Sequence, residues 1–317
     1  MIRPSFLLTP ILIFLIATGL DRPVEAQQTR KLAPGVLTVI PPEPLTEESN
    51  QGPIGLQGVT NLNWTPNYTP KVDTLAAKSS HVVLRHNVWN LEFAFKPLRM
   101  VYVDVPQPSG KMQRKLIWYM VYRVRNLGGH IAPVQAADKT YQPGIADQVL
   151  NIGAEKPSGS IRFFPHFVLE SRELGLSYLD RVIPVAIPVI QQREMRGGKL
   201  YSTVEITKQS VPVTAPDADG GVWGVVTWED IDPRVDYFSI FVGGLTNAFR
   251  LVGDPPDPAA QLQKVLQLNF WRPGDAIDEH EGEIRYGIPS VEDPKEQEAI
   301  CAKYNLSRRL DYLWVYR

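Results

Sequence analysis

The chain has 317 residues, 44% of them hydrophobic, which is enough for a packed core in one large or two smaller domains. Lys and Arg total 33 against 34 Asp and Glu, and a net charge of −1 excludes a binder of nucleic acid that relies on surplus cations. The single cysteine, Cys301, excludes an internal disulfide, so stability must come from core size.

The chain opens with Arg3, an apolar run from Phe6 to Leu20 and the small-x-small string Val24-Glu25-Ala26. This pattern predicts a secretory signal peptide over residues 1–26. The run is about 15 residues, short of the roughly 20 that span a bilayer, and Pro10 interrupts it. No later segment is long and apolar enough to span, so export to the periplasm or the extracellular space is expected. Residues 27–80 are polar and proline-rich, with Pro41-Pro42-Glu43-Pro44 and Trp64-Thr65-Pro66 among them. They read as an extended or partly disordered lead-in without a core of its own.

From residue 81 to 317 the pattern is that of strands, either as one domain or as two packed sub-domains. Val82 to Phe95 is an apolar segment, followed by Leu98 to Val105 and the turn residues Pro106 to Gly110. Met112 to Asn126 then alternates: Leu116, Trp118, Met120, Tyr122 and Val124 on one face, and Ile117, Tyr119, Val121, Arg123 and Arg125 on the other. It predicts a strand covered on both faces at its start and wet on one face at its end, with Leu98 to Val124 forming a hairpin. His130 to Ser160 reads as irregular. Ile161 to Leu169 is a strand made edge-like or bulged by Pro165, and Val182 to Ile190 is edge-like through Pro184 and Pro188.

Gly197-Gly198 turns into Leu200 to Ile206, a second expected hairpin. Asp217 to Gly221 is another turn, leading into Val222 to Trp228. Tyr237 to Val242, Lys264 to Trp271 and Glu283 to Gly287 follow. One helix is signalled, by Asp293 as N-cap, Pro294 at the first helical position and Glu296 two residues on, closing at Lys303 and Asn305. Tyr312 to Tyr316 is a final strand. The 28 prolines fall mostly between apolar runs. The expected fold is all-β: an antiparallel β-sandwich, Ig-like in broad architecture, with one short C-terminal helix.

Two loops collect chemistry-bearing residues. After the strand ending at Trp228 come Glu229, Asp230, Asp232 and Arg234. Carboxylates there suit an acid/base pair for glycoside hydrolysis, or a strand-ending turn that caps amides and pairs with Arg234. Near Trp271, residues Asp275, Asp278, Glu279, His280 and Glu281 form an acidic cluster. Close oxygen ligands suit Ca²⁺, but the regular spacing of a calcium loop is missing and no second histidine is near, so no metal is assigned. Five scattered histidines fall in no metal framework. No nucleophile elbow, P-loop or dinucleotide fingerprint is present, so no catalytic residue or cofactor is assigned either. Trp223, Trp228 and Trp271 are candidates for stacking on sugars, with core packing as the competing reading. Cys301 reads as a small buried hydrophobe.

Three strings resemble a known group. They are Phe93-Ala-Phe-Lys-Pro-Leu-Arg99 with the strand Met112 to Asn126, the run Gly221 to Arg234 followed by Phe238 to Asn247, and Phe270-Trp-Arg-Pro-Gly-Asp275. Together they resemble uncharacterised exported proteins of planctomycete-type bacteria, a likeness that brings no activity or site residues. It implies a Gram-negative-type envelope. The expected function is a non-catalytic structural or interaction module of that envelope, with envelope proteins or polysaccharide as partners. The alternative is an extracellular carbohydrate-active protein, a sugar binder or glycoside hydrolase.

Overall fold

Alternation of apolar side chains builds this molecule around two long strands. A computed structural model describes residues 36–51, 84–135, 137–138, 141–145, 160–252, 260–273 and 284–317. In chain order the N-terminal elements are β1 (Thr38–Ile40), a 3-10 turn (Thr46–Ser49), β2 (Asn50–Gln51), β3 (Leu84–Arg85) and β4 (Glu92–Phe95). Next come β5 (Arg99–Pro106), β6 (Met112–Arg125), β7 (Ile131–Gln135), β8 (Tyr141–Ile145), β9 (Ile161–Arg162), β10 (His166–Ser171) and β11 (Leu176–Leu179). Helix α1 (Ala186–Glu194) precedes β12 (Ser210–Val211), β13 (Val222–Trp228), β14 (Tyr237–Gly243), β15 (Phe249–Val252), β16 (Ala260–Trp271) and β17 (Arg285–Tyr286). Helix α2 (Pro294–Lys303) and β18 (Tyr312–Tyr316) complete the described chain.

The first sheet is five-stranded, in the order β1-β4-β6-β13, with β5 joining β6 on the remaining length of the same strand. The second is seven-stranded, in the order β11-β10-β14-β16-β15, with β17 and β18 also on β16. All these pairings are antiparallel. Both long strands outlast their neighbours, so each carries two shorter strands in succession along an edge. Strand β6 holds β5 through residues 112–119 and β4 through 122–125. The expected hairpin is thus present, as is the expected antiparallel β architecture.

The core lies between the sheets. The face of β6 bearing Trp118, Met120, Tyr122 and Val124 meets Phe163, Phe167 and Leu169 and the β14 and β16 residues Phe238, Ile240, Leu266, Leu268 and Phe270. Rings bridge the two layers: Tyr122 to Phe167 at 5.0 Å, Trp118 to Phe238 at 5.5 Å and Phe95 to Phe270 at 5.9 Å between centroids. Each such side chain contributes roughly 1.5–3 kcal/mol by leaving water. Gly224 is required by this packing, because a Cβ there would strike the Tyr122 ring opposite.

The other face of β6 is covered as well. Ile117, Tyr119 and Val121 pack with Val225 beneath Ile183, Ala186 and Ile190 of the α1 region. The expectation of a wet second face at the end of β6 is therefore corrected. Residues 112–114 at its start are exposed, whereas Arg123 is buried, with its guanidinium 5.5 Å from the Trp223 ring and 3.0 Å from Asp219. Arg125 grips Glu92 through two bonds of 2.6 and 2.9 Å. Alternation alone cannot show that a cation has been given a carboxylate and a ring.

Other expectations are also corrected. Val182 to Ile190 is no strand: its second half is the start of α1, which makes two α-helices among the described residues where one was expected. Pro184 precedes the helix and Pro188 sits in its first turn, where backbone N–H groups have no intrahelical acceptor, so neither costs a bond. Ala186 and Ile190, four apart, point inward. Leu200 to Ile206 forms no hairpin; Tyr201 makes only an isolated parallel bridge to Gly224, and a 3-10 turn follows at Ile206–Lys208. Among the described residues of Val82 to Phe95, Leu84–Arg85 and Glu92–Phe95 are strand and the residues between them are not. The segment read as irregular holds the β7/β8 hairpin. Strand β10 has neighbours on both sides and is not an edge, and Pro165 falls in the break before it.

Helix α2 begins and ends as its caps dictate. The Asp293 carboxylate accepts from Lys295 N at 3.0 Å, and Asn305 takes φ +62° after the last turn. Cys301 is buried against Ile288, Ile300 and Tyr304. The lead-in contributes Thr38–Ile40, paired with β4, and Glu48, buried in an ion pair with Lys264 of β16. Tyr316 of β18 donates to the same carboxylate, and Leu45 N donates to its other oxygen at 3.1 Å. The expected signal peptide, residues 1–26, lies outside the described residues. Among the described residues no helix is long and apolar enough to cross a membrane.

Candidate functional site

The string from Trp228 to Arg234 closes one end of the sandwich. Trp228 is the last residue of β13 and stands opposite Trp118 of β6. Both lie on the inner face, and Trp228 is fully buried. A platform for sugar stacking must reach solvent, so Trp228 is corrected from candidate recognition residue to core. Of the other two tryptophans, Trp223 lies on the outer face with Arg123 and Lys96 over its ring at 5.5 and 5.8 Å. Trp271 is half-buried with the Arg285 guanidinium 5.1 Å from its ring centre.

The carboxylates beyond Trp228 each meet a cation. Glu229, whose side chain is 6% exposed, receives Lys115 at 3.3 Å and also pairs with Arg181. Lys115 reaches Asp230 as well, at 2.7 Å. Asp230 takes φ +56°, a left-handed conformation that Asp tolerates better than most residues, and it turns the chain away from the strand. Arg181 is placed by backbone pairing, its N donating to Thr227 O at 2.8 Å. Asp232 accepts from Arg234 three times: from N at 2.9 Å, Nε at 3.0 Å and a terminal nitrogen at 2.7 Å. Those hydrogen bonds hold the Asp232 carboxyl down at about 2. Its own N–H donates to the Tyr178 hydroxyl at 3.1 Å, which ties the turn to β11.

The structure thus brings Glu229, Asp230 and Asp232 together in one turn and leaves Trp271 apart from their ion pairs. Asp275, Asp278, Glu279 and His280 lie outside the described residues. Among the described residues no grouping of His, Cys, Asp and Glu could hold a metal ion.

Lys115 and Arg181 are the members that sequence reading missed. A signal for Lys115 existed: the β6/β13 register, continued two or three residues past Trp228, brings the turn opposite residues 115–116. No comparable signal points to Arg181, which arrives from a loop that is remote in sequence.

A second cluster was also missed. Glu194, at the C-terminal end of α1, has a carboxylate only 2% exposed that receives Arg99 at 2.7 Å and the Tyr119 hydroxyl at 2.9 Å. Burial, with the Glu194 charge adding to it, pushes the Tyr119 hydroxyl upward, so it stays a donor. The arrangement pins α1 to the first sheet, and its groups are already partnered. Comparison with family models, with curated proteins and with solved structures found no match, so function here rests on geometry alone.

Proposed function

We propose that this chain is an exported module of the cell envelope that works by binding or scaffolding, with envelope proteins or polysaccharide as its partners. One observation supports this most: the carboxylates best placed for hydrolysis are held by cations, and the neighbouring Trp228 is core. A glycosidase needs one carboxyl held protonated near working pH and a second facing the sugar. Asp232 is shifted the opposite way by Arg234, and Glu229 is shared between Lys115 and Arg181. Such a turn suits a rigid rim that presents charge on a fixed scaffold. The signal-like leader and the absence of cysteine pairs fit an exported protein stabilised by its core.

The test is an incubation of the full chain with a panel of polysaccharides while reducing ends are counted. No release is expected, and Glu229→Gln should match the parent. Release that disappears in Glu229→Gln would overturn the reading in favour of a hydrolase. Export is tested separately by intact mass: protein from the envelope fraction should begin at Gln27, and bulk retention of Met1 to Ala26 would contradict it.

A further inference from the structure

The outer face of the second sheet differs from what a helix-covered face ordinarily presents. Register sets Glu170, Ser239 and Asn269 side by side across β10, β14 and β16, with Phe241 beside Gln267 in the next row. Ser239, Gln267 and Asn269 are all at least nine-tenths buried, yet polar. Ser239 Oγ donates to Asn269 Oδ1 at 2.7 Å, Gln267 Nε2 donates to the same oxygen at 2.9 Å, and Asn269 Nδ2 donates to Leu310 O at 2.7 Å. The Gln267 amide is thereby fixed. Its Oε1 receives no donor among the described residues and stands as a free acceptor.

Gln267 lies on the floor of a cleft of about 220 Å³ between the end of α2 and the end of β18. That is below the size of a drug-sized pocket and suits a small ligand. Arg172, Lys303 and Arg317 line it with Glu170, and Glu173 pairs with Lys303 beside it, which leaves one cationic side chain in excess among these residues. Arg317 is engaged, 3.1 Å from Glu170 and 4.0 Å from the Phe241 ring centre. Lys303 is 3.0 Å from Glu173. Arg172 is exposed, and its guanidinium has no partner among the described residues.

We propose that this cleft binds a small carboxylated, hydroxyl-bearing molecule, namely a uronic acid unit. Its carboxylate would meet Arg172, a planar fork suited to that group, and a ring hydroxyl would donate to Gln267 Oε1. A neutral hexose leaves Arg172 unanswered, and inorganic phosphate lacks the sugar ring that sets a carboxylate and a hydroxyl apart across the cleft. The site is separate from the Trp228–Arg234 turn and does not depend on the function assigned to that turn.

The test is calorimetric titration of the full chain with free galacturonate and glucuronate. Parallel arms use glucose, inorganic phosphate and an oligogalacturonide. Saturable binding of a uronate is expected, with glucose and phosphate much weaker. Arg172→Ala, a change at an exposed position, should weaken uronate binding about tenfold or more, the scale of one charge-assisted hydrogen bond. Gln267→Met should weaken it again by removing the acceptor that the ring hydroxyl meets, with folding of this buried variant checked by its melting curve. Tighter binding of the oligomer would assign the site to a polysaccharide chain end, and equal binding to the free sugar acid; either supports the proposal. No uronate or oligomer binding, affinity unchanged by Arg172→Ala, or phosphate binding as tightly as uronate would overturn it.

Discussion

The two sheets share an inner core but treat their outer faces in opposite ways. On the first sheet, Ile117, Tyr119, Val121 and Val225 meet Ile183, Ala186 and Ile190 in an apolar seam, with the Tyr119 hydroxyl reaching Glu194 at its margin. On the second, Ser239, Gln267 and Asn269 form a hydrogen-bonded network beside α2, and only Tyr304, Ile300 and Cys301 of the helix region bring a small apolar cluster. An apolar seam gains stability with each methylene buried and is tolerant of its exact geometry. A polar network gains little net energy, but a single missing partner is costly, so it fixes side-chain positions. The first face is built to be closed; the second is built to hold a cleft floor still.

Substitutions should separate the two faces. The largest effect is expected at Ile190→Ala, which empties space under α1 and should cost about 2–5 kcal/mol in urea unfolding. Asn269→Ala should cost about 1–3 kcal/mol by orphaning the groups that donate to Oδ1. If its cost equals or exceeds that of Ile190→Ala, the contrast between the faces fails. Replacing the network as a whole, with Ser239→Ala, Gln267→Leu and Asn269→Leu together, should cost less than Asn269→Ala alone, because the buried donors to Oδ1 leave with their acceptor and the groups that lose a partner are the Leu310 and Tyr304 carbonyls. A triple variant less stable than the single one would show that the network itself contributes net stability.

The smallest effect lies at the exposed rim. The Asp232 carboxyl is lowered from 3.8 to about 2, so its favourable contribution is complete above 3.8 and is lost as pH falls through about 2. An NMR titration should find this depressed midpoint, and Arg234→Ala should return it towards 3.8. Thermal stability at pH 7 should barely move, since screened surface pairs are worth little. A large drop in melting temperature would mean that the rim supports the fold more than its exposure suggests.

Much of the inner core was legible because strand alternation is a local signal. Leu116 to Val124 and Leu266 to Phe270 each alternate onto one face, and Val222 to Trp228 read as a strand, before any partner was known. The α2 caps were legible for the same reason: Asp293 and Pro294 act within one turn. Helix α1 was not, since its prolines mean one thing in a strand and another in a first turn, and only the sheet beneath it decides between them. The rim carboxylates were read as a turn paired with Arg234, and Asp232 does this. The burial of Trp228 and the bonds of Glu229 to Lys115 and Arg181 depend on strands meeting across more than a hundred residues in the first case and on a remote loop in the second. Gln267 and Asn269 alternate plainly with leucines, yet nothing local says that both would lie beside a helix end.

The buried contact between Glu48, Lys264 and Tyr316 has a temporal consequence. Its members are separated by 216 and 268 positions along the chain. Synthesis proceeds from the N-terminus at ~5–20 residues per second, so at least ~13 s pass between the appearance of Glu48 and that of Tyr316. Until then the segment around Glu48 has no Tyr316 to close upon and β16 lacks its β18 neighbour, which leaves the nascent chain open along that edge. Completion of the last strand is thus the event that lets this corner of the molecule shut.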